Sequence, residues 1–407
     1  MRFLIVSARL LYPADTGGKI RSSRLFEALS RQHDLTIVAF QTPEDTPDRI
    51  EQMRRCCRRL VTVPWRESEK FTARFYWDVI SNLFSPRSFA VAKYRDPRME
   101  RTVRGLVSEE QFDVLVCDFL QPSINVLDIP FVPKILFQHN VEAVIRRRHF
   151  EQVANPAIKA YLYWEWKRLR AYERRAARAF DHCLMVSEDD RRTMYDEYGV
   201  TTTSVVPTGA DVHPEGPGDD AEDGVHLIFT GSMDWFANED AVFFFVRDIL
   251  PRLRREIAVT FWIVGRNPSP RVRHLAAIDA GVMVTGTVPD VRPYIARATV
   301  YVAPLRIAGG TRIKIFEAMG MGRAVVSTRI GAEGLPVVDG EHVLLADEAG
   351  DFAEKVIALV RDRTRRQLLA RAGWELVRRN YSWEKAAEQF AAVCQQVRDH
   401  VSGRGRL

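Results

Sequence analysis

No stretch of this 407-residue chain approaches the roughly twenty consecutive apolar residues of a membrane-spanning helix. The start, Met1 to Val6, is apolar, but the run is short and Arg9 interrupts its continuation. It lacks a small-residue cleavage site, so it reads as a buried first strand rather than a signal peptide. Cysteine is sparse: Cys56, Cys57, Cys117, Cys183 and Cys394 form no CxxC pair and no Cys/His set with zinc spacing. The nine histidines form no HExxH, and the second half holds no DxD. No metal site and no cofactor are expected, and the odd, scattered thiols suit a reducing compartment. The expected location is the cytoplasm, with contact to the inner face of the cell membrane left open. An excess of charge is also missing. The formal net charge is +6 and the arginines are spread through helical segments without a nucleic-acid motif, so no nucleic acid is expected as a partner.

What is present is a repeated grammar. Short β-rich runs alternate with helical patterns: Phe3 to Val6, Leu35 to Phe40, Leu60 to Val63, Val114 to Cys117, Ile135 to Phe137, Cys183 to Val186 and Ser204 to Val206. Gly17-Gly18 comes after the first run in a loop, and Ile20 to Gln32 reads as a helix. This alternation predicts a parallel sheet wrapped by helices. Asp211 to Gly224 breaks it with prolines, glycines and an acidic run, and reads as a linker. The grammar then restarts with Leu227 to Thr230 before Gly231-Ser232, a helix over Asn238 to Arg254, and Val259 to Val264 before Gly265. Val282 to Thr285, Val300 to Ala303 and Val325 to Thr328 complete the series, and Asp351 to Arg398 reads as almost entirely helical. The predicted class is α/β with two Rossmann-like domains. The expected division is 1–210, a linker 211–224, a second domain 225–380, and a C-terminal helix 381–407. In open α/β sheets ligands bind beyond the carboxyl ends of the strands, so a cleft between the domains is the expected site.

The segment Gly309 to Gly322 is chemically the most pointed. Gly309, Gly310 and Thr311 open a helical pattern, Arg312 and Lys314 lie in its first turn, and Glu317 comes next on the Lys314 face. Helix-start N–H groups joined by cations suit phosphate oxygens. A carboxylate one turn on suits ribose hydroxyls. The same pattern also describes an ordinary helix with a solvated charged face.

Taken in order along nearly the whole chain, these motifs resemble the GT-B retaining glycosyltransferases of family 4, in particular a subgroup with a GGTR-x-K-x-x-E pattern. The resemblance implies two Rossmann-like domains facing a central cleft, with the helix 381–407 crossing back to the first. It implies that Gly17-Gly18 and Arg21 belong to a loop approaching the donor diphosphate, and that His139, just after the strand Ile135 to Phe137, faces the donor sugar. Ser187, Pro207 and Gly209 match motifs that close the first domain, with Ser187 as a helix N-cap. Gly231, Ser232 and Gly265 fall at donor-side strand ends, and Val288 lies where relatives hold the base. Glu317 matches the glutamate that holds the ribose in relatives.

Two departures stand out. Relatives carry an arginine and a lysine shortly after the glycine at position 231, and this chain has neither before Arg247. Relatives also carry a glutamate where Gly309 stands. Arg312 and Lys314 are the expected substitutes for the missing cations, with Arg306 as a secondary one. Together with His139 they form the expected catalytic set.

The resemblance implies transfer from a UDP- or GDP-sugar to a saccharide or polyprenyl-linked acceptor, with retention and without metal. No pair of carboxylates suits a double displacement, so a front-face mechanism is expected. Tyr, Trp and Arg residues over Ala157 to Arg178, and the shorter stretch Phe71 to Trp77, read either as lipid-facing surface or as an amphipathic helix with its aromatics in the core. Two other readings remain at this point: a GT-B-fold sugar-nucleotide epimerase, and a non-catalytic nucleotide-binding scaffold.

Overall fold

The computed structural model describes residues 1–14, 16–68, 72–131, 133–153, 155–218, 224–307 and 313–404. The chain forms two units: Met1–Pro207 with Ala386–Leu407, and Thr208–Lys385.

The first unit is built on β1 (Arg2–Ser7), β2 (Asp34–Gln41), β3 (Arg59–Pro64), β4 (Val114–Asp118), β5 (Lys134–Phe137), β6 (His182–Met185) and β7 (Thr203–Val205). Their order is β3-β2-β1-β4-β5-β6-β7, and every pairing is parallel. Parallel strands are covered on both faces, which is why Phe3, Leu4, Ile5 and Val6 are all buried instead of alternating. The order reverses direction between β1 and β4, so the ends of these two strands, Ser7 and Asp118, flank a switch point.

The helix Gly17–Ser30 begins ahead of the Ile20 start that the sequence pattern indicates. Gly17 and Gly18, expected in a loop, form its first turn. A Cβ on Gly18 would press into the Phe119 ring, whereas Gly17 has open space beside it. Ser187 caps the helix Glu188–Tyr198 by accepting from the Asp190 N–H at 3.1 Å, and Gly199 ends that helix in the left-handed conformation at φ +64°. The final helix, Trp383–Arg404, brings Phe390 against Phe3 and edge-on to Phe137, with ring centroids 6.4 and 5.2 Å apart, and pairs Arg398 with Asp113 at 3.0 Å.

The second unit holds β8 (His226–Thr230), β9 (Thr260–Val264), β10 (Val282–Gly286), β11 (Val300–Ala303), β12 (Val325–Ser327) and β13 (Leu344–Leu345) in the order β10-β9-β8-β11-β12-β13, again all parallel. Its switch point lies between β8 and β11. The buried Tyr301 hydroxyl joins the two strands there through Thr230 Oγ1 at 2.7 Å. The helix expected over 238–254 is interrupted: Phe236–Phe244 is α-helical, Phe245–Ile249 is a π-turn, and Leu250–Leu253 resumes the α-helix. Pro251 has no N–H to return to the carbonyl four residues back, and the ladder widens just ahead of it.

Residues 211–218, expected as linker, are held on the second unit. The His213 N–H donates to the Gly320 carbonyl at 2.8 Å, Trp374 Nε1 donates to the His213 carbonyl at 3.0 Å, and Asp211 pairs with Arg292. Gly322, at φ +69°, lies against Pro217 where no Cβ would fit. The acidic part of the expected linker, 219–223, lies outside the described residues.

Candidate active site

At the switch point of the first unit, Asp118 ends β4 and His139 lies two residues past β5, so their side chains meet across adjacent strands. His139 Nε2 is 2.9 Å from Asp118 Oδ1, and Arg21 Nη1 is 3.1 Å from His139 Nδ1. Arginine only donates, so Nδ1 accepts and the ring proton sits on Nε2, directed at Asp118. Ser22 donates to Asp118 Oδ1 at 2.9 Å and Ser7 to Oδ2 at 3.3 Å. His139 and Asp118 are 1% and 0% exposed. The imidazole is stacked on Phe119, centroids 3.8 Å apart and planes within 5°, with Phe137 at 4.5 Å. Burial pushes the His139 pKa down to about 4 against the pull of Asp118, so the ring is neutral at physiological pH. Burial also lowers Arg21 to about 10, with Asp190 and Asp118 opposing. Phe119 adopts φ +74°, a left-handed conformation held by this packing.

His139 therefore reaches its expected strand end, but both its nitrogens are engaged by protein groups and its faces by aromatic rings. Asp118, Ser22 and Ser7 were not singled out from the sequence. Only the charged residue closing the apolar run Val114 to Cys117 hints at the first of them.

The corresponding place in the second unit is arranged differently. The loops after β8 and β9 are locked together: the Gly231 N–H donates to the Val264 carbonyl at 3.0 Å, and the Met233 N–H donates to the Arg266 carbonyl at 2.9 Å. A side chain at Gly265, φ +153°, would collide with the Gly231 carbonyl oxygen. A Cβ at Gly231 would press on Asn238 and Lys314. These two glycines are thus demanded by close packing of protein on protein.

Lys314 comes from the helix Ile313–Gly320 that succeeds β11 and crosses the switch point. Its Nζ donates to Asn238 Oδ1 at 2.7 Å and lies 4.4 Å from the Phe229 ring centroid. Asn238 in turn donates to the Ser232 carbonyl at 2.8 Å. Ser232 Oγ accepts from Arg266 Nε at 2.8 Å and donates to Asp234, and Asn267, at φ +51°, donates to Asp234 at 3.1 Å.

Arg266 was missed by the sequence reading. It makes no ion pair among the described residues, and the Ser232 contact uses Nε, so neither terminal nitrogen donates a hydrogen bond among those residues. The secondary candidate Arg306 is committed instead: it grips Asp240 with two nitrogens and stacks 4.5 Å from the Phe244 centroid. Arg292 is committed to Asp290 and Asp211. No sequence signal distinguishes Arg266 from these; its position depends on β9 lying beside β8.

Glu317 lies one turn beyond Lys314, half-buried, without a hydrogen-bond partner among the described residues. Burial pushes its pKa up to about 7; Asp211 adds to the rise, and Lys314 and Arg292 oppose it. Val288, after β10, packs partly buried against the core cluster that includes Ile295. Gly309, Gly310, Thr311 and Arg312 lie outside the described residues.

Residues 17–213 match the family described as Glycosyltransferase Family 4, and residues 224–362 match glycosyl transferases group 1. The chain is 26% identical over 246 residues to the lipopolysaccharide core biosynthesis mannosyltransferase LpcC of Rhizobium leguminosarum bv. viciae, covering 56% of this chain and 68% of that protein. The solved sucrose-phosphate synthase of Thermosynechococcus elongatus superposes with a TM-score of 0.69 at 16% identity, covering 98% of this chain and 99% of that one. Anabaena HepE in complex with UDP gives 0.66 at 12% identity, covering 97% and 100%. With two parallel-sheet units and matches spanning both, the chain belongs to the GT-B glycosyltransferases of the family 4 and group 1 type.

Proposed function

We propose that this glycosyltransferase moves a sugar from a nucleotide-diphosphate donor to a saccharide or lipid-linked saccharide, with retention of anomeric configuration and without metal. The observation that carries the reading is the β8–β11 switch point, where Lys314, Arg266 and Glu317, which has no hydrogen-bond partner among the described residues, lie near strand ends. Breaking the donor's sugar–phosphate bond builds negative charge on the departing diphosphate. Lys314 and the terminal nitrogens of Arg266 are the groups assigned to that charge, and their fixed placement by Asn238 and Ser232 lets them act without reorganising. Arg266 thus takes the place of the cations absent after Gly231, beside Lys314 and the sequence-assigned Arg312. The Glu317 carboxylate accepts hydroxyl donors of the ribose.

The transfer is front-face: the acceptor oxygen attacks on the side the diphosphate leaves, and a phosphate oxygen takes the acceptor proton. His139 is assigned a positioning role, holding the ends of β4 and β5 through Asp118 and Arg21, because no nitrogen of its ring is left for a sugar. UDP bound to HepE and the mannosyltransferase activity named for the Rhizobium relative make UDP- and GDP-sugars the first donors to try.

Incubation with a panel of radiolabelled UDP- and GDP-sugars is expected to release nucleoside diphosphate from one of them and to transfer label to a lipid-linked saccharide, with an α-linkage by NMR. Nucleotide binding without turnover of any donor would favour the scaffold reading. A trapped covalent glycosyl-enzyme would overturn the front-face step.

A further inference from the structure

The sequence assigned any lipid contact chiefly to 157–178, yet in the helix Pro156–Ala179 the residues Leu162, Leu169 and Tyr172 are core, and Glu165, Arg168 and Glu173 are buried with them. Ile158, Tyr163 and Trp164 of that helix are exposed, but the most exposed apolar side chains of this unit lie on another element. The helix Ala73–Asn82 buries none of its residues. Its outward stripe continues into the next turn: Tyr76 is 51% exposed, Trp77 70%, Ile80 52%, Leu83 39% and Phe84 90%. The spacing i, i+1, i+4, i+7, i+8 is that of an ordinary core-facing stripe, turned outward.

The element is firmly held. Phe75 packs edge-on to Phe89 with centroids 6.1 Å apart, and Arg168 Nη1 donates to the Asn82 and Ser85 carbonyls at 2.6 and 2.8 Å. The exposed Trp164 lies under the same guanidinium, 5.7 Å from its ring centroid, and extends the patch.

The surround is cationic. Arg66, Arg74 and Arg87 make no ion pair among the described residues, whereas Lys93 is neutralised by Glu67 and Asp78 is held by the Ser68 hydroxyl. Arg66 and Arg74 also line an open cavity of about 400 Å³ beside the helix. Aromatic side chains backed by unpaired arginines suit the headgroup layer of an anionic bilayer, where rings bury apolar area and guanidinium groups meet phosphates. A second copy of the chain suits the patch less well, because a two-fold contact would bring the same arginines together.

We propose that the Ala73–Asn82 helix with Leu83 and Phe84 is an interfacial foot that docks the first unit on an anionic lipid surface. It deepens the reading of a lipid-linked acceptor, but its test does not depend on turnover. Sedimentation of the full chain with phosphatidylcholine vesicles, with and without phosphatidylglycerol, is expected to show binding only with the anionic lipid and weakening at high salt. Trp77→Ser with Phe84→Ser is expected to cut the bound fraction about tenfold. Arg66→Gln with Arg74→Gln is expected to lower binding and flatten its salt dependence, while thermal unfolding stays unchanged in both pairs, since these side chains are exposed. Donor hydrolysis without acceptor is measured alongside: its loss in the wild type would strike the transferase reading and leave the foot standing. No binding of the wild type at low salt, or equal binding by the Trp77/Phe84 pair, would overturn the foot. Concentration-dependent dimerisation abolished by the same pair, without vesicle binding, would assign the patch to a second copy and overturn it too.

Discussion

The two units place opposite chemistry at the same topological position. In the first, the crevice between β1 and β4 is filled by Asp118, His139, Arg21, Ser22 and Ser7, which hydrogen-bond to one another away from water. In the second, the crevice between β8 and β11 is spanned by Lys314, held by Asn238, and edged by Arg266, which makes no ion pair among the described residues, and by Glu317, which accepts no hydrogen bond among them. A strand-end switch point is therefore an opportunity for a ligand, and the sequence around it decides whether protein or ligand takes it. A histidine at such an end says nothing about catalysis until its two nitrogens are accounted for.

The sharpest way to break this contrast is Asp118→Ala. If the first cluster is structural, removing its carboxylate leaves the His139 N–H and the Ser22 hydroxyl buried without their acceptor and Arg21 without a nearby counter-charge, and stability should fall by about 3–5 kcal/mol in urea unfolding. Unchanged stability with lost turnover would instead make the cluster a ligand site. Next in size, Lys314→Ala and Arg266→Ala should each weaken nucleoside diphosphate binding by roughly 1.5–3 kcal/mol in calorimetry, the range for hydrogen bonds to charged groups, while nucleoside binding is preserved. Equal loss for the nucleoside would place those cations away from the phosphates.

The smallest effect concerns Glu317. Its carboxyl must be ionised to accept ribose hydroxyls, so diphosphate affinity should strengthen by about 1 kcal/mol as pH rises through 7. The stability linkage has the opposite sign. A folded pKa above the unfolded value means that stability present below about 4.5 is lost as pH rises through about 7. Glu317→Gln should flatten both curves; a wild-type pH profile retained in that variant would remove Glu317 from the contact.

Much of the architecture was legible because fully buried parallel strands leave apolar runs, and Phe3 to Val6 or Leu35 to Phe40 need no partner to be recognised. The return of the C-terminal helix was legible only through the resemblance. The closed cluster was not, since Asp118 meets Ser22 and Ser7 only through the β1-β4-β5 strand order, across 96 and 111 residues. Arg266 was hidden for the same reason, as one arginine among many until β9 is set beside β8. Burial also runs against local pattern in two places. Glu165, Arg168 and Glu173 look like a solvated face and lie inside, with Arg168 tying the neighbouring turn through backbone carbonyls. Trp77 and Ile80 match a core spacing and lie outside. Periodicity reports that a face exists; only packing says which way it turns.

The Phe390 contact with Phe3 and Phe137 has a practical meaning for anyone dividing the molecule. Because Ala386 onward belongs to the first unit, that unit is discontinuous in the gene. A fragment cut after Pro207 would expose the aromatic floor that Phe390 covers and strand Asp113 without Arg398. A separable first unit needs residues 386–404 rejoined to it by a linker, and a separable second unit must start at Thr208, ahead of the apparent linker, to keep the His213 and Asp211 anchors.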